Sequence, residues 1–402
     1  MPAPLLLDLS HTSHTQARTG IQRVARSLFR ALGEAAIPVT HDPFRRTWRT
    51  LERWEHANLA ANGAAVKRGA RWPLTARVGG RLHRLISRIP PVEPRLAQCA
   101  HDTSGLVVPE IFSPAAARAL PGLFTAVPGP HVALFHDAIA LQFPDLTPPK
   151  TVARFPAYLV ELLAFDGIAA VSDDSRESLL EYWRWLGATK TPPVATLGLG
   201  MDIQPFSSAG QNSPPETAAS QLQTILCVGS IEGRKNHLAL LDACEGLWAK
   251  GARFSLHLIG LAQPQTAAPA LARIRELQAA GRSLRYDGPV NEGALQAAYA
   301  ACTFTVYSSL VEGFGLPVLE SLAHGRPCIC SAQRALGEAT RGGGCIKLER
   351  VDAESLAAAI ARLLGSPDER AKLAREARAR HFRTWPDYVS DLRGWIQELP
   401  RS

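Results

Sequence analysis

The most constraining feature of this 402-residue sequence is a regular alternation of short apolar strands and helices after residue 222. The predicted strands, each separated from the next by a predicted helix, have the sequences TILCVGS, FSLHLIG, LRYDGPV, FTVYSS and PCICS. Strands that alternate with helices of about 10–15 residues form parallel sheets covered by helices on both faces. We therefore predict an α/β domain of the Rossmann-like type over residues 222–384.

The N-terminal half shows the same architecture. It begins with a strand, LLLDLS, a polar loop and a helix, IQRVARSLFRALGEA, and the alternation returns between residues 106 and 200. The segment SSAGQNSPPETAASQ, residues 207–221, is rich in Ser, Pro and Gly, which is typical of a linker. We predict a second Rossmann-like domain over residues 1–206, with an insertion at 44–105, and a cleft between the two domains.

The composition excludes several classes of protein. Apolar residues make up 46% of the chain, which excludes disordered and fibrous proteins. No stretch approaches eighteen consecutive apolar residues, and the first residues lack the basic segment of a signal peptide, so we expect neither a spanning helix nor secretion. The seven cysteines include no Cys-x-x-Cys pair, the closest spacing being Cys328 to Cys330. We therefore expect no structural zinc, no disulfide framework and a cytoplasmic location.

The net charge of +8 is concentrated in one stretch. Residues 44–95 contain twelve Arg and Lys against three Glu, together with Trp48, Trp54 and Trp72. No nucleic-acid-binding module is visible, so we do not expect a nucleic-acid partner. Arginines mixed with aromatic residues suit peripheral contact with an anionic membrane on its inner face, which is our hypothesis for this stretch. A solvated surface of arginine-biased composition remains the alternative.

The first motif that could carry chemistry is VGSIEGRKNH, residues 228–237. It lies where a strand ends and a helix begins, the usual ligand-binding position in open α/β sheets. Gly229 and Gly233 allow a tight turn, and Arg234 and Lys235 precede the helix N-terminus, which suits a diphosphate. An ordinary turn with solvated charges is the alternative.

The second motif is SSLVEGFGLPVLESLAHGRPCICS, residues 308–331. Glu312 closes a strand, a turn follows, and a helix is predicted from Leu316 to Ala323, with Gly325 as the residue that terminates it. Glu320 then lies about one turn into this helix. A carboxylate beside a diphosphate site is useful when it accepts hydrogen bonds from sugar hydroxyls. Solvated carboxylates on a turn and a helix surface are the alternative.

These two motifs, their order and their separation resemble those of the retaining family 4 glycosyltransferases, the group 1 type, which use nucleotide sugars and have the GT-B fold. The segment EGFGLPVLE, residues 312–320, matches the family signature of two glutamates separated by seven residues, and RKN, residues 234–236, matches its basic turn. The resemblance extends over residues 131–400, with a weaker match at 18–30. It implies an acceptor-binding N-terminal domain, a donor-binding C-terminal domain, and a final helix, residues 385–402, that packs back on the N-terminal domain.

The resemblance also implies roles for single residues. Lys235 and Arg234 would contact the donor diphosphate, and Glu312 would face the donor sugar. Glu320 would bind the ribose hydroxyls. The remaining donor-site residues implied in this way are Gly20, Gly229, Ser230, Gly313, Phe314, Gly315 and Leu316. Ser230 departs from the family pattern, in which many members have Arg, so one diphosphate-binding cation is missing or comes from elsewhere.

Further candidates lie in the N-terminal half. His136 and Asp137 match a His-Asp dipeptide found in part of the family, whose His would face the donor sugar, while a structural loop histidine is the alternative. Arg18 and Arg23 flank Gly20 and could contact an anion or simply lie on the polar face of a helix. Ser172 is explained by helix capping.

The implied activity is transfer of a hexose, with retention of configuration, from a donor such as GDP-mannose or dTDP-rhamnose. The acceptor would be a glycan or a polyprenyl-linked oligosaccharide in cell-surface polysaccharide synthesis. The chain contains no Asp-x-Asp pair, so we expect no metal ion and no cofactor besides the donor. A catalytically silent scaffold that binds glycan or lipid, a sugar-nucleotide epimerase and a phosphorylase are the alternatives.

Overall fold

A computed structural model of the chain describes residues 3–17, 19–61, 71–86, 89–202 and 222–400. The linker predicted at 207–221, part of the basic stretch and Arg18 lie outside these residues. The described chain divides into two compact units. Unit 1 contains the described residues within 1–138, 154–200 and 383–402, and unit 2 contains those within 139–153 and 201–382. Unit 2 thus includes residues 139–153, from the N-terminal half of the sequence.

Unit 1 is built on a seven-stranded sheet, as far as its described residues show, with the order β3-β2-β1-β4-β5-β6-β7. All neighbouring pairs are parallel except β2 and β3, which form an antiparallel pair at one edge. The strands are β1 (Leu5–Asp8), β2 (Ala36–Asp42), β3 (Thr47–Thr50), β4 (Leu106–Val108), β5 (His131–Phe135), β6 (Gly167–Ala170) and β7 (Val194–Thr196).

Unit 2 contains a sheet whose six described strands are all parallel, in the order β10-β9-β8-β11-β12-β13. Its strands are β8 (Gln223–Val228), β9 (Phe254–Ile259), β10 (Leu284–Tyr286), β11 (Phe304–Tyr307), β12 (Cys328–Ser331) and β13 (Cys345–Leu348). The prediction of a parallel α/β architecture in both halves is therefore confirmed.

The helices connect and cover these strands. In chain order they are α1 (Gly20–Leu32), α2 (Arg53–Ala60), α3 (Leu74–Ile86), α4 (Pro94–Ala100), α5 (Pro114–Ala126), α6 (Ile139–Gln142), α7 (Pro149–Glu161), α8 (Asp173–Leu186), α9 (His237–Ala249), α10 (Ala268–Ala279), α11 (Glu292–Ala301), α12 (Leu316–Ala323), α13 (Arg334–Ala339), α14 (Ala353–Gly365), α15 (Pro367–Arg378) and α16 (Trp385–Glu398). The part of the chain that the structure describes has no helix long and apolar enough to cross a bilayer.

Local sequence signals explain several helix ends. The Ser172 hydroxyl accepts a hydrogen bond from the Ser175 N–H at 3.1 Å, so Ser172 caps α8 as predicted. Helix α12 has the predicted bounds, and Gly325 just beyond it has a φ of 64°, the left-handed conformation that glycine adopts at no steric cost.

The segment 44–95 is only partly a solvated surface. Trp48 on the edge strand β3 is completely buried, and its indole N–H donates to the carbonyl of Ala119 on α5 at 2.9 Å. Arg49 is also buried, and its guanidinium is 2.7 Å from a carboxylate oxygen of Glu55 and 3.2 Å from one of Asp42. Trp72 lies against the His14 ring, with 4.1 Å between ring centroids. Trp48 is therefore not available to a membrane, contrary to the expectation that it would take part in lipid contact.

Candidate functional site in unit 2

The two sequence motifs meet at one edge of the unit 2 sheet. Strands β8 and β11 are parallel neighbours, so the segments that follow them leave the sheet on the same side. The N–H of Leu310 donates to the carbonyl of Arg234 at 2.9 Å, and the Ser308 hydroxyl donates to the carbonyl of Lys235 at 2.8 Å. These two hydrogen bonds fix the basic turn against the segment that leads to Glu312.

A buried charge cluster occupies this junction. The Lys235 Nζ lies 2.5 Å from Oε1 of Glu312, and Nη1 of Arg234 lies 2.8 Å from Oε2 of the same carboxylate. Arg234 also reaches Glu232 at 2.9 Å. Lys235 donates a further hydrogen bond to the Tyr307 hydroxyl. The structure therefore brings together three predicted residues, Arg234, Lys235 and Glu312. It adds Glu232 and Tyr307, which the sequence did not indicate.

The electrostatics of the cluster keep its central carboxylate ionised. Burial by itself would raise the pKa of Glu312, but the charges of Arg234 and Lys235 and their hydrogen bonds outweigh it and hold the pKa at about 2. For Arg234, burial opposes the charged form, whereas Glu312 and Glu232 raise its pKa. Burial raises the pKa of Tyr307 well above its usual value, so the phenol stays protonated. Two cations are thus fixed at a strand end before any ligand arrives.

Ser230 takes part in the same network. Its hydroxyl donates to Glu232 at 3.1 Å, so Glu232 is shared between Ser230 and Arg234. Gly229 lies beside the Lys235 side chain, which a Cβ on this glycine would approach to 3.7 Å. That distance is an ordinary contact, so space alone would admit a side chain, and it is the φ of 159° at Gly229 that favours glycine at this position.

A different glycine, Gly260, has the strongest steric requirement next to the basic turn. It has a φ of 156°, and a Cβ built on it would lie 1.8 Å from the carbonyl oxygen of Gly229. The Tyr286 hydroxyl donates to the Gly260 carbonyl at 2.9 Å. Gly260 therefore permits the close approach of the β9 end to the turn after β8. The available signal in the sequence was a glycine directly after strand β9, which was not among the predicted site residues.

The turn before α12 holds the remaining predicted residues of this motif. Gly315 has a φ of 91°, which only glycine adopts easily, and its Cβ position is 3.1 Å from Leu336. Gly313 and Phe314 precede it in the turn, and Leu316 begins α12.

Glu320 lies on α12 and has a different partner from Glu312. Its Oε2 accepts a hydrogen bond from the Tyr299 hydroxyl at 2.9 Å. Tyr299 is buried on α11, and its ring stacks on His324 with 5.1 Å between centroids. Tyr299 thus orients Glu320, a contact that no local pattern in the sequence indicates.

In unit 1, His136 follows β5 and is buried. Its Nε2 lies 2.7 Å from the Pro109 carbonyl, and the Ser175 hydroxyl donates to the His136 carbonyl at 2.8 Å. Burial lowers the pKa of His136, so its imidazole is neutral at pH 7. Because a carbonyl can only accept, Nε2 carries the proton and Nδ1 is an acceptor. Asp137 is the next residue and is half-buried.

Gly20 lies at the start of α1 and is exposed. No atom lies within 4 Å of a Cβ built on Gly20, so nothing in unit 1 requires a glycine there. Thr19 caps the helix together with Gln22, whose Oε1 lies 2.9 Å from the Thr19 hydroxyl.

Unit 1 also has a buried carboxyl pair that no sequence motif predicted. Asp8 is the last residue of β1, and Glu110 follows the neighbouring parallel strand β4. Glu110 accepts from the N–H groups of Thr12 at 3.1 Å and His11 at 3.2 Å, and Asp8 accepts from Ser10 at 2.9 Å. Burial, with a smaller contribution from Glu110, raises the pKa of Asp8 to about 7. The available signal in the sequence was an acidic residue at or just after each of two short apolar stretches, LLLD (residues 5–8) and LVVPE (residues 106–110).

The sequence of this chain is similar to those of known glycosyltransferases. Residues 211–380 match the family described as glycosyl transferases group 1. The chain is 24% identical over 337 residues to the serotype-specific mannosyltransferase WbdA of Escherichia coli; the match covers 81% of this chain and 38% of that protein. It is 30% identical over 220 residues to the O-antigen chain mannosyltransferase B of Escherichia coli, covering 54% and 56% of the two chains. The chain thus spans well under half the length of WbdA.

A solved structure shows the same fold. Alr3699/HepE of Anabaena, in complex with UDP and glucose, superposes with a TM-score of 0.67 over 99% of this chain and all of that chain, at 14% identity. The two Rossmann-like units and this likeness confirm the predicted GT-B fold class. The signature at 312–320, the fold and the family match over residues 211–380 agree, and together they support a group 1 glycosyltransferase of the GT-B fold.

Proposed function

We propose that this protein transfers a hexose from a nucleoside-diphosphate sugar to a glycan or polyprenyl-linked acceptor in cell-surface polysaccharide synthesis, with retention of configuration. The observation that carries the proposal is the pair of fixed cations, Arg234 and Lys235, against Glu312 at the carboxyl ends of β8 and β11. The two mannosyltransferase relatives favour GDP-mannose over dTDP-rhamnose as the donor.

The cations suit the leaving group of such a reaction. The bond between C1 of the sugar and the diphosphate oxygen breaks, and its electron pair passes to that oxygen. Lys235 and Arg234 would stabilise this developing charge, which lowers the barrier because the charge is larger in the transition state than in the bound donor. Since two cations can balance the diphosphate, we propose that the reaction needs no divalent metal ion and no cofactor.

Glu312 would change partners when the donor binds. A diphosphate would compete with this carboxylate for Arg234 and Lys235, and the carboxylate could then accept hydrogen bonds from sugar hydroxyls. Glu320, oriented by Tyr299, would accept from the ribose hydroxyls. The backbone of residues 313–316 would lie near the phosphates.

For unit 1 we propose acceptor binding and contact with the donor sugar. The neutral imidazole of His136 would accept a hydrogen bond at Nδ1, beside Asp137, and Gly20 would border the phosphates. In a retaining reaction the acceptor hydroxyl bonds to C1 on the face that the diphosphate leaves. Its proton would pass to the departing phosphate oxygen, so no side chain has to act as a general base.

The test is a transfer assay with GDP-mannose and a mannosylated lipid-linked acceptor, with and without EDTA. Lys235→Ala should lower kcat/KM about 100- to 1000-fold. Lys250→Ala, an exposed lysine after the other end of α9, is the matched control and should leave the rate unchanged. If the kcat/KM of Lys235→Ala stays within threefold of that of the unchanged protein, the role proposed for Lys235 is wrong. NMR of the product gives its anomeric configuration.

The alternative functions, a silent scaffold and an epimerase, predict other outcomes. A thermal-shift screen with GDP, UDP, dTDP, ADP and CMP that finds no shift, together with no donor turnover, would indicate a catalytically silent scaffold that binds glycan or lipid. Conversion of the sugar nucleotide without an acceptor would indicate an epimerase.

We also propose that segment 44–95 contacts an anionic membrane through α3. Leu74, Val78 and Leu82 repeat every four residues on this helix and are 73%, 64% and 55% exposed. Arg77 and Arg81 are exposed on the same helix, with their guanidinium groups 5.9 and 5.6 Å from the Phe44 ring centroid. An apolar stripe flanked by arginines suits the surface of an anionic bilayer.

Flotation with phosphatidylglycerol vesicles tests this contact. The protein should float with these vesicles and not with phosphatidylcholine alone, and the double variant Val78→Glu/Leu82→Glu should abolish flotation. Trp185→Glu, which changes a 79% exposed residue on α8, is the control and should still float. If the unchanged protein does not float, α3 is simply a solvated helix.

A further inference from the structure

Three cysteines of unit 2 lie together, although they are not close in the sequence as a group. The Sγ atoms of Cys328, Cys330 and Cys345 are all within 4.8 Å of one another. Cys328 and Cys330 are two residues apart on β12, so their side chains point to the same face of the sheet. Cys345 begins β13 and pairs in register with Cys328, which puts its side chain beside that of Cys328.

The surroundings of the three sulfur atoms are apolar. Cys328 and Cys330 are fully buried, and Cys345 is partly exposed. The same apolar cluster includes Val318 and Leu322 of α12, Leu336 of α13 and Ala377 of α15. Thiolates in an apolar shell favour soft metal ions over hard ones. The partly exposed edge at Cys345 provides an entry path.

A positive charge lies beside the cluster. The Arg380 guanidinium donates to the carbonyls of Ala339 at 3.1 Å and Gly343 at 3.3 Å, two residues before Cys345. Three thiolates and one divalent ion carry a net charge of −1, which the guanidinium balances.

We propose that Cys328, Cys330 and Cys345 bind one divalent thiophilic ion, with Zn²⁺ as the biologically common choice. Zinc–sulfur bonds of about 2.3 Å in a tetrahedral site place sulfur atoms roughly 3.8 Å apart. The three sulfur atoms therefore need to move by less than about 1 Å. Each thiol releases its proton to solvent on binding, and a water at the exposed edge would complete four-coordination.

The site would act on stability, independently of the chemistry proposed for Lys235 and Glu312. Cys328 and Cys345 begin their strands, whereas Glu312 follows the carboxyl end of β11. An ion would connect β12 to β13 beneath α12 and so stabilise the part of unit 2 on which the Gly313–Leu316 turn is built.

The experiment uses the full chain, treated with chelator and reductant and then titrated with Zn²⁺ or Cd²⁺. We expect one ion per chain by elemental analysis, sulfur-to-cadmium absorption in the ultraviolet, and a rise in thermal midpoint of about 5 °C at 100 times the dissociation constant. Cys345→Ala should lose the stoichiometric ion and the shift. Cys302→Ala removes a buried cysteine from a different apolar cluster and should retain both.

Three results would overturn the proposal. The first is no stoichiometric ion in the unchanged chain. The second is an ion that Cys345→Ala still binds, which would indicate stray binding at exposed Cys99 or elsewhere. The third is a disulfide between two of the three cysteines that persists until reductant is added. None of these depends on the transferase activity, so a failure here leaves the proposed function untouched.

Discussion

The two units place buried carboxyl groups at or beyond the carboxyl ends of parallel strands and give them opposite properties. In unit 2, Glu312 contacts two cations, and its pKa is about 2. In unit 1, Asp8 accepts hydrogen bonds from Ser10 and lies near a second carboxyl, Glu110, and its pKa is about 7. The topology decides where such a group lies, and its neighbours decide whether it is ionised.

This difference suits different ligands. The edge of unit 2 carries fixed cations that can exchange one anionic partner for another. The edge of unit 1 holds a carboxyl that is partly protonated at neutral pH and can donate as well as accept a hydrogen bond. Four measurements test whether the two edges differ in this way.

We expect the largest difference between the two units when a buried carboxyl group in each is replaced by an amide. Glu312→Gln leaves Lys235 and Arg234 without their shared anion and should cost about 4 kcal/mol of unfolding free energy at pH 7. Glu110→Gln keeps an acceptor for the N–H groups of His11 and Thr12 and should cost less than about 1 kcal/mol. Urea denaturation measures both. Equal losses would contradict the distinction between the two edges.

The glycines of the two units should respond in opposite directions. Gly260→Ala places a Cβ 1.8 Å from the Gly229 carbonyl and should cost about 3 kcal/mol, with weaker nucleotide binding, because the basic turn must move. Gly20→Ala enters open space at the start of α1 and should stabilise the protein by about 0.5 kcal/mol. Thermal denaturation with and without GDP tests the pair, and an unperturbed Gly260→Ala would refute the close approach.

The pH dependence of the two carboxyls should have opposite signs. The raised pKa of Asp8, from 3.8 to about 7, means that the folded state binds the extra proton, so this contribution to stability is lost as the pH rises through that window. Asp8→Asn should therefore gain about 4 kcal/mol relative to the unchanged protein between pH 4 and pH 8.

Glu312 provides the opposite half of that test. Its pKa falls from 4.5 to about 2 on folding, so its stabilisation is present above pH 4.5 and is lost as the pH falls toward 2. The deficit of Glu312→Gln should shrink as the pH drops below 4.5. Urea denaturation of Asp8→Asn and Glu312→Gln at several pH values tests both halves. If the stability of the two variants relative to the unchanged protein changed with pH in the same direction, the opposite pKa shifts would be wrong.

The smallest effect concerns the residue that orients Glu320. Tyr299→Phe removes the hydroxyl that donates to Glu320 and should cost about 1 kcal/mol of stability. If Glu320 binds ribose, KM for the donor should rise severalfold while kcat changes less. Tyr286→Phe removes the hydroxyl bond to Gly260 and is a control for tyrosine truncation in the same unit. A change in kcat alone would contradict a positioning role for Tyr299.

Local signals in the sequence predicted the elements well. The bounds of α12 and the left-handed conformation of Gly325 followed from glycine and proline positions, whose backbone preferences act within a few residues. The strand–helix alternation predicted both parallel sheets for a similar reason, since it reflects which faces of each element are buried.

The sequence did not predict contacts between distant segments. Tyr299 and Tyr307 have partners 21 and 72 positions away in the chain, and the burial of Trp48 depends on the packing of β3 against α5. The spacing of apolar residues indicates which face of a helix or strand is buried. It does not indicate which residue of another segment that face contacts. For this reason the sequence did not separate Trp48, which belongs to the core, from Trp54 and Trp72 in the membrane hypothesis for residues 44–95.

Local preferences and spacing along the chain were enough to predict the α/β class of both halves, the glutamate signature, and the position of Arg234 and Lys235 before a helix. The ion pairs of Glu312 with both cations, the proximity of Asp8 to Glu110, and the grouping of Cys345 with Cys328 and Cys330 became visible only in the folded chain. These contacts depend on strand register. Parallel pairing brings residues from separate segments within a few ångströms, and the resulting charges and burial, rather than the residue types alone, set the chemistry of each edge.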